Sequence, residues 1–378
     1  VEQTNPFFGK EGEVLVHKTQ ASLTPEQASA LHEGLVIPAH PLALNERREL
    51  DEVYQRLLTK YYIASGAGGI AVGVHSTQFE IRDPSVNLYE RVLRLAAEET
   101  EQAGLQRPFI KVAGICGDME QATKEAEISK GLGYDAALLS MGGLDRWSEK
   151  DLLRRTERIA GIMPVIGFYL QPSVGGRMLS FAFWQAFAEI DNVVAIKMAP
   201  FNRYQTIDVV RAVCCSSRRD EIALYTGNDD NILIDLLTTY RFQTEEGTIE
   251  KQIVGGLLGH FAVWTHKAVQ LLEEVKRLRK QEGSPLSPEW LTRSVEITDA
   301  NAALFDPAHQ FAGCIPGIHE VLRRQGLMRG IWCLNPQETL SKGQKEEIDR
   351  VYRQYPHLHD DDFVKQHLDE WLRLASQP

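Results

Sequence analysis

Val165-Ile166-Gly167-Phe168-Tyr169-Leu170-Gln171-Pro172, a helix-like stretch over 181–190, and Asn192-Val193-Val194-Ala195-Ile196-Lys197 follow one another in the chain. From Val165 and from Val193 the two outer runs are apolar on every residue until a polar tip. Such runs suit strands covered on both faces, as in a parallel sheet wrapped by helices. The order strand–helix–strand makes the two strands parallel neighbours, with Tyr169 and Lys197 at their C-terminal ends.

The same alternation extends outward in both directions. Strand-like runs lie at 34–38, 69–74, 109–114, 136–140, 164–169, 193–197, 222–226 and 252–256. Helical stretches fall between them, for example 46–65, 88–103, 119–132 and 149–160. Eight strands alternating with helices predict an α/β fold, a (β/α)8 TIM barrel, in which all the C-terminal strand ends share one face. A doubly wound sheet is the competing arrangement. It lacks support, because no Gly-x-Gly-x-x-Gly follows a first strand and Gly66-Ala67-Gly68-Gly69 precedes one. From 260 onward the pattern is helical, over 260–282, 288–305, 318–325, 341–355 and about 362–375.

The expected organisation is an N-terminal extension over 1–31, a barrel over 32–259 and a C-terminal helical region over 260–378. Within the extension, Ser22-Leu23-Thr24-Pro25-Glu26-Gln27 carries a cap and then a proline, the signature of a helix start. Residues 241–248 read as an insertion between the seventh and eighth strands.

The chain has 378 residues, 43% hydrophobic and 25% charged, with a net charge of −11. That balance suits a globular protein with an ample core. It argues against nucleic-acid partners, which call for a basic footprint. No apolar run is long enough for a membrane span, and the start lacks a charged-then-apolar leader. Five cysteines, two adjacent and none in a Cys-x-x-Cys spacing, suit a reducing, cytoplasmic setting. Cys214-Cys215 read as packing residues.

Lys197 is the leading catalytic candidate. Burial at a strand end disfavours its ammonium form, and the exposed lone pair can attack a carbonyl to form a Schiff base. Taken alone, a strand-end lysine more often reaches solvent or pairs with a carboxylate; Tyr169 and the family resemblance given below turn the reading toward the amine. Tyr169 is the second candidate, because a hydroxyl beside such a lysine can move protons during carbinolamine formation and breakdown. A packed ring with a satisfied hydroxyl is its structural alternative. His40, in Pro38-Ala39-His40-Pro41, reads as a turn residue near the same mouth. No His-Glu-x-x-His and no Cys/His cluster marks a metal site, and His357-Leu358-His359-Asp360-Asp361-Asp362 reads as a solvated turn.

These residues bring a family into view. Tyr169-Leu170-Gln171-Pro172-Ser173 resembles the Tyr-Asn-x-Pro segment, and Val194-Ala195-Ile196-Lys197 the Val-Gly-Ile-Lys segment, of the dihydrodipicolinate synthase / N-acetylneuraminate lyase family. Thr226-Gly227-Asn228-Asp229-Asp230 resembles its Ser-Gly-Asp-Asp loop, and Gly255-Gly256-Leu257-Leu258-Gly259 its Gly-x-Ile-Ser segment. Pro316-Gly317-Ile318-His319-Glu320-Val321-Leu322 resembles its C-terminal helical cap. The resemblance runs from about residue 34 to about residue 355.

The resemblance implies a class I, lysine Schiff-base aldolase or lyase acting on pyruvate or a related 2-oxo acid, with an aldehyde as the second small molecule. It implies Lys197 and Tyr169 as catalytic residues, His75 and Ser76 as carboxylate-binding residues, and Leu258 as a pocket residue. It implies no cofactor and no metal, and a homotetramer or homodimer. A 2-oxo acid dehydratase of the same family, a non-catalytic ligand-binding barrel and a metal-dependent aldolase are the alternatives. Two departures separate the chain from true dihydrodipicolinate synthases. Val174 stands where they carry an arginine five residues after the tyrosine, and Ser140-Met141-Gly142-Gly143 holds no tyrosine pair. Arg177 is a possible substitute cation.

Overall fold

The computed structural model describes residues 22–281 and 285–377. The expected lead-in over 1–21 therefore lies outside the described residues. Eight parallel strands form the barrel: β1 (Val36–Pro38), β2 (Gly69–Val72), β3 (Ile110–Ile115), β4 (Ala136–Leu139), β5 (Val165–Leu170), β6 (Val193–Ala199), β7 (Ala223–Thr226) and the C-terminal half of β9 (Gly247–Leu258). The sheet order is β1-β9-β7-β6-β5-β4-β3-β2. The ring closes where Gly68 N–H donates to Val36 O (3.0 Å) and His40 N–H to Ala71 O (2.8 Å), with a parallel bridge between Ala39 and Ala71. This is the (β/α)8 barrel that the alternating pattern predicts.

Outside it stand α2 (Glu52–Ala64), α3 (Tyr89–Gln102), α4 (Met119–Gly131), α5 (Glu149–Ala160), α6 (Phe181–Ala188) and α7 (Arg203–Cys214), with a short α8 (Ile232–Leu237). α2 starts six residues later than the periodicity predicts. Asp51 caps it through Tyr54 N–H, and Arg48, at φ 60°, turns the chain just before. The insertion at 241–248 is a hairpin. β8 (Thr239–Thr244) pairs antiparallel with the first half of β9, which then enters the barrel wall. Burial along β9 changes accordingly, from alternating exposed and half-buried positions to continuously buried ones.

α1 (Pro25–Glu33) is capped by Thr24 with Gln27 completing a capping box. It runs across the boundary drawn at residue 31. Leu31 packs among the barrel-interior residues, and Tyr225 Oη donates to Leu31 O (2.8 Å), so α1 seals the N-terminal end of the barrel.

Two apolar layers result. Ile37, Ala71, Val112, Leu138, Ile166, Ala195 and Leu257 fill the barrel interior, and a larger layer lies between the strands and the helices. Each fully buried aliphatic side chain contributes about 1.5–3 kcal/mol by transfer from water. The remaining helices are α9 (Thr265–Arg279), α10 (Glu289–Phe305), α11 (Cys314–Arg324), α12 (Gln344–Gln354) and α13 (Asp361–Ala375). α9 begins later than read, because Trp264 takes a left-handed conformation at φ 52°. Phe305 at the end of α10, with Cys314 and Ile318 of α11, borders the C-terminal mouth of the barrel. α13 returns to the wall, where Tyr61 of α2 meets Trp371 and donates to Asp360 (2.8 Å). Among the described residues, no helix is long and apolar enough to cross a membrane.

Candidate active site

A cavity opens at the C-terminal mouth, with ≈ 630 Å³ of empty space counted out to its open edge. That is within the range of small-molecule sites. Lys197 rises into it from β6. Alternation along a strand decides which side chains do so. Ala195, Lys197 and Ala199 face inward, while Ile196 and Met198 join the layer beneath the helices. β6 runs two residues beyond Lys197, so the lysine lies inside the strand and not at its tip.

Lys197 is 7% exposed. Burial pulls its pKa down from the ordinary 10.5, and the charge of Asp229 opposes that shift. Gly227 makes room for the side chain. A Cβ there would stand 2.6 Å from Lys197 Cε and 2.9 Å from the Ala199 Cβ, closer than carbon atoms pack.

Tyr169 is on the other side of the wall. On β5, Ile166, Phe168 and Leu170 face the interior, and Tyr169 faces the helices. Its ring centroid lies 5.2 Å from that of Trp184 on α6. Its hydroxyl accepts from Leu179 N–H (3.3 Å) and donates to Leu179 O (3.4 Å), and burial raises its pKa. The structure therefore does not bring Tyr169 together with Lys197. The residue opposite Lys197 across the β5–β6 ladder is Phe168, whose ring centre is 4.2 Å from Nζ.

His75 and Ser76 both line the cavity, from a 3-10 turn, His75–Thr77, that follows β2. The His75 ring is half-buried, and burial followed by the Lys197 charge lowers its pKa to about 4, so it is neutral near pH 7. The Ser76 hydroxyl proton is already committed to Ala39 O (2.8 Å), a bond that ties the turn to the end of β1. Leu258 faces outward into the helix-side layer, while its neighbours Leu257 and Gly259 face the interior and the cavity. The expected pocket role of Leu258 thus falls one residue away from the wall that meets the cavity. His40 is fully buried, bonded to Pro41 O (2.8 Å) and Thr59 Oγ1 (2.9 Å), and holds the turn after β1.

Asp229 is the charged lining residue that the motif contains and sequence reasoning left without a role. Asn228 positions it. The buried Asn228 amide accepts from Phe201 N–H (3.1 Å) and donates to Asp235 (3.0 Å) and Thr206 (3.3 Å), which sews the β7 loop to the β6 loop. Asp235 in turn takes Thr226 Oγ1–H (2.6 Å) and pairs with Arg203. From the other side, Asn301 of α10 donates to Asp229 O (2.7 Å), and His260 N–H donates to Asp229 Oδ1 (3.1 Å). Burial raises the Asp229 pKa above the usual carboxylate range. The rest of the lining is apolar, including Val174, Phe201, Phe305, Phe311 and Ile318, with Gln171 and Cys314 as further polar groups. Arg177 is occupied elsewhere, donating to Leu144 O (2.8 Å) and Trp147 O (3.0 Å). Among the described residues no group of three or more His, Cys, Asp or Glu is placed to hold a metal ion.

Comparison with known proteins adds to this geometry. A model of the dihydrodipicolinate synthetase family matches residues 32–239. The 4-hydroxy-tetrahydrodipicolinate synthase of Syntrophobacter fumaroxidans (strain DSM 10017 / MPOB) is 29% identical over 183 residues, 48% of this chain and 59% of that protein. The aligned part thus spans less than two thirds of that relative's length. Among solved structures, a dihydrodipicolinate synthase from Oceanobacillus iheyensis superposes with a TM-score of 0.66 at 16% identity, covering 87% of this chain and 99% of that one. An N-acetylneuraminate lyase from Fusobacterium nucleatum complexed with pyruvate gives 0.65 at 17%, covering 86% and 98%. CdNal from Clostridium difficile in complex with mannosamine gives 0.65 at 16%, covering 85% and 99%. At these identities the likeness is one of fold.

Proposed function

The chain belongs to the dihydrodipicolinate synthetase family, and from that premise we propose that it is a lysine-dependent aldolase or lyase acting on pyruvate or a related 2-oxo acid. The observation that carries this reading is the buried Lys197 amine inside the barrel mouth, with its pKa lowered by burial. A neutral amine attacks the 2-oxo carbonyl, and the resulting iminium draws electrons from C3. The enamine formed on loss of a C3 proton adds to an aldehyde, or is itself generated by cleavage of a C–C bond. In this reading His75, with the backbone N–H groups of residues 75 and 76, takes the 2-oxo acid carboxylate; Thr77 N–H is already bonded to Val74 O. Ser76 acts there through its backbone, since its hydroxyl proton is bonded to Ala39 O.

The second substrate is an aldehyde without a carboxylate. Val174 lines the cavity where an arginine would be needed, and Arg177 is bonded to two backbone carbonyls. A buried carboxylate without a partner is strongly disfavoured.

Proton exchange tests the reading. In deuterated buffer the protein should exchange the C3 protons of pyruvate, followed by NMR, and Lys197→Arg should abolish the exchange. Exchange that persists undiminished in Lys197→Arg contradicts a lysine imine.

A further inference from the structure

We propose that Asp229, which lines the same cavity as Lys197, is the proton-transferring residue of this site and takes the role expected of a tyrosine hydroxyl. The inference deepens the lysine-imine reading and rests on it. Imine chemistry needs a group that both gives and takes protons beside the reacting carbon. Tyr169 is excluded by its outward position and its bonds to Leu179. The Ser76 hydroxyl already donates its hydrogen bond to Ala39 O. Phe168, which stands against Lys197 Nζ, has no proton to transfer.

Three observations place Asp229 in the role. It lines the same cavity as Lys197. His260 N–H, from the turn after β9, and Asn301 of α10 hold the carboxylate and the backbone in position, so the group is oriented before substrate arrives. Gly227, two residues earlier, packs against the Lys197 side chain, which puts loop and lysine in contact. The other ionisable groups facing Asp229 do not compete. Lys197 of β6 is the nucleophile. His75, beyond Lys197 on the β2 turn, is held neutral. Burial drives the Cys314 thiol of α11 far up. The His260 ring is bonded to Asn301 Oδ1 and is also neutral near pH 7, with a pKa of about 4. Asp230, the next residue, faces Arg203. Burial raises Asp229 and lowers Lys197, the charge of each opposes the shift of the other, and the two titrate as a pair.

The proton balance closes with one shared proton. The cycle runs in the singly protonated pair and starts from its form with neutral Lys197 and protonated Asp229. Nζ bonds to the carbonyl carbon, and the carbonyl π pair moves to oxygen, which takes the Asp229 proton. The new ammonium nitrogen returns a proton to Asp229. Asp229 then protonates the hydroxyl, which leaves as water as the nitrogen lone pair forms the iminium. The Asp229 carboxylate removes a C3 proton to give the enamine. When the enamine adds to an aldehyde, the aldehyde oxygen takes that proton back; water then adds to the product iminium as Asp229 takes a proton from it, and the formation steps run in reverse to break the C–N bond and return neutral Lys197 and protonated Asp229.

The test compares Asp229→Asn, Asp229→Glu and Tyr169→Phe with the unaltered protein. Three readouts apply: pyruvate affinity, the rate of borohydride-trappable adduct formation, and the rate of C3 deuterium exchange. Asp229→Asn keeps an oxygen for His260 N–H. It should leave pyruvate affinity within a few-fold and slow both rates by roughly 10²–10⁴. Asp229→Glu should restore part of the exchange, and Tyr169→Phe should change neither rate. Thermal melting checks that each variant folds. If Asp229→Asn is unfolded, Asp229→Glu and the pH profile of the unaltered protein decide. An adduct in the unaltered protein with undiminished exchange in Asp229→Asn, or in Asp229→Glu with an unchanged pH profile, overturns the Asp229 role and leaves the imine reading standing. Absence of any adduct in the unaltered protein overturns both.

Discussion

Phe168 and Lys197 are partners across the parallel β5–β6 ladder, and the lysine Nζ lies 4.2 Å from the centre of the phenylalanine ring. The contact fixes which face of β5 meets the site, because neighbouring residues on a strand point to opposite sides. Tyr169, the next residue, is paired with Met198 and is bound to face away.

The first consequence concerns Tyr169→Phe. Its kcat should stay within about threefold of the unaltered enzyme, since a general acid–base group would cost roughly 10²–10⁴. The long hydroxyl bonds to Leu179 predict a stability loss of about 0.5–1.5 kcal/mol. Steady-state kinetics and urea unfolding measure the two effects separately. A kcat collapse would mean that the hydroxyl reaches the substrate after all.

Gly227→Ala should act on the lysine. The added methyl collides with Lys197 Cε and with the Ala199 Cβ. The lysine can swing, but the strand atom cannot, so the amine is displaced from its working position. A misplacement on the order of 1 Å costs about 10² in rate. Trapping of pyruvate should slow by about that factor while circular dichroism remains that of a folded barrel. Unchanged trapping would show that the close approach is unimportant.

Selectivity toward aldehydes should turn on Val174. The unaltered protein should prefer propanal to aspartate semialdehyde in kcat/KM with pyruvate. Val174→Arg should raise kcat/KM for the acidic aldehyde about tenfold, because a charged hydrogen bond is worth about 1.5–3 kcal/mol. Equal use of both aldehydes by the unaltered protein would reveal a cation elsewhere that serves the carboxylate.

The pH dependence has a definite sign. The amine reacts only when deprotonated, and burial lowers the Lys197 pKa below 10.5. Initial imine formation should therefore rise with pH on a limb clearly below the ordinary lysine range, and fall again where Asp229 loses the proton it must donate. Asp229→Asn removes the neighbouring charge that holds the lysine pKa up, so its rising limb should move to lower pH. A limb near 10.5 would describe a solvated lysine.

Much of the fold is legible in the sequence, because each barrel strand is a short apolar run and each outer helix keeps a helical period. What the sequence does not carry is the phase of those strands. All six residues of β5 are buried, so both faces are apolar and neither is marked as inner. The β5–β6 register also shifts between Val165 and Ile166. A one-residue slip exchanges the faces of a strand, and that is the difference between Tyr169 and Phe168 as the residue beside the lysine. Leu258 and Leu257 differ in the same way on β9. Lys197 escapes the ambiguity, since a charged group in an apolar strand of a barrel has the cavity as its outlet. Asp229 was visible within Thr226-Gly227-Asn228-Asp229-Asp230, but its role depends on burial and on bonds from residues 260 and 301, far along the chain.

The central claim is that Lys197 forms a covalent imine with a 2-oxo acid. Borohydride treatment in the presence of pyruvate, followed by mass spectrometry of the whole chain and of its peptides, tests it most directly. The account predicts one reduced pyruvate adduct per chain, on the peptide containing Lys197, and none when pyruvate or borohydride is left out. No adduct, or an adduct on a different lysine, would contradict it.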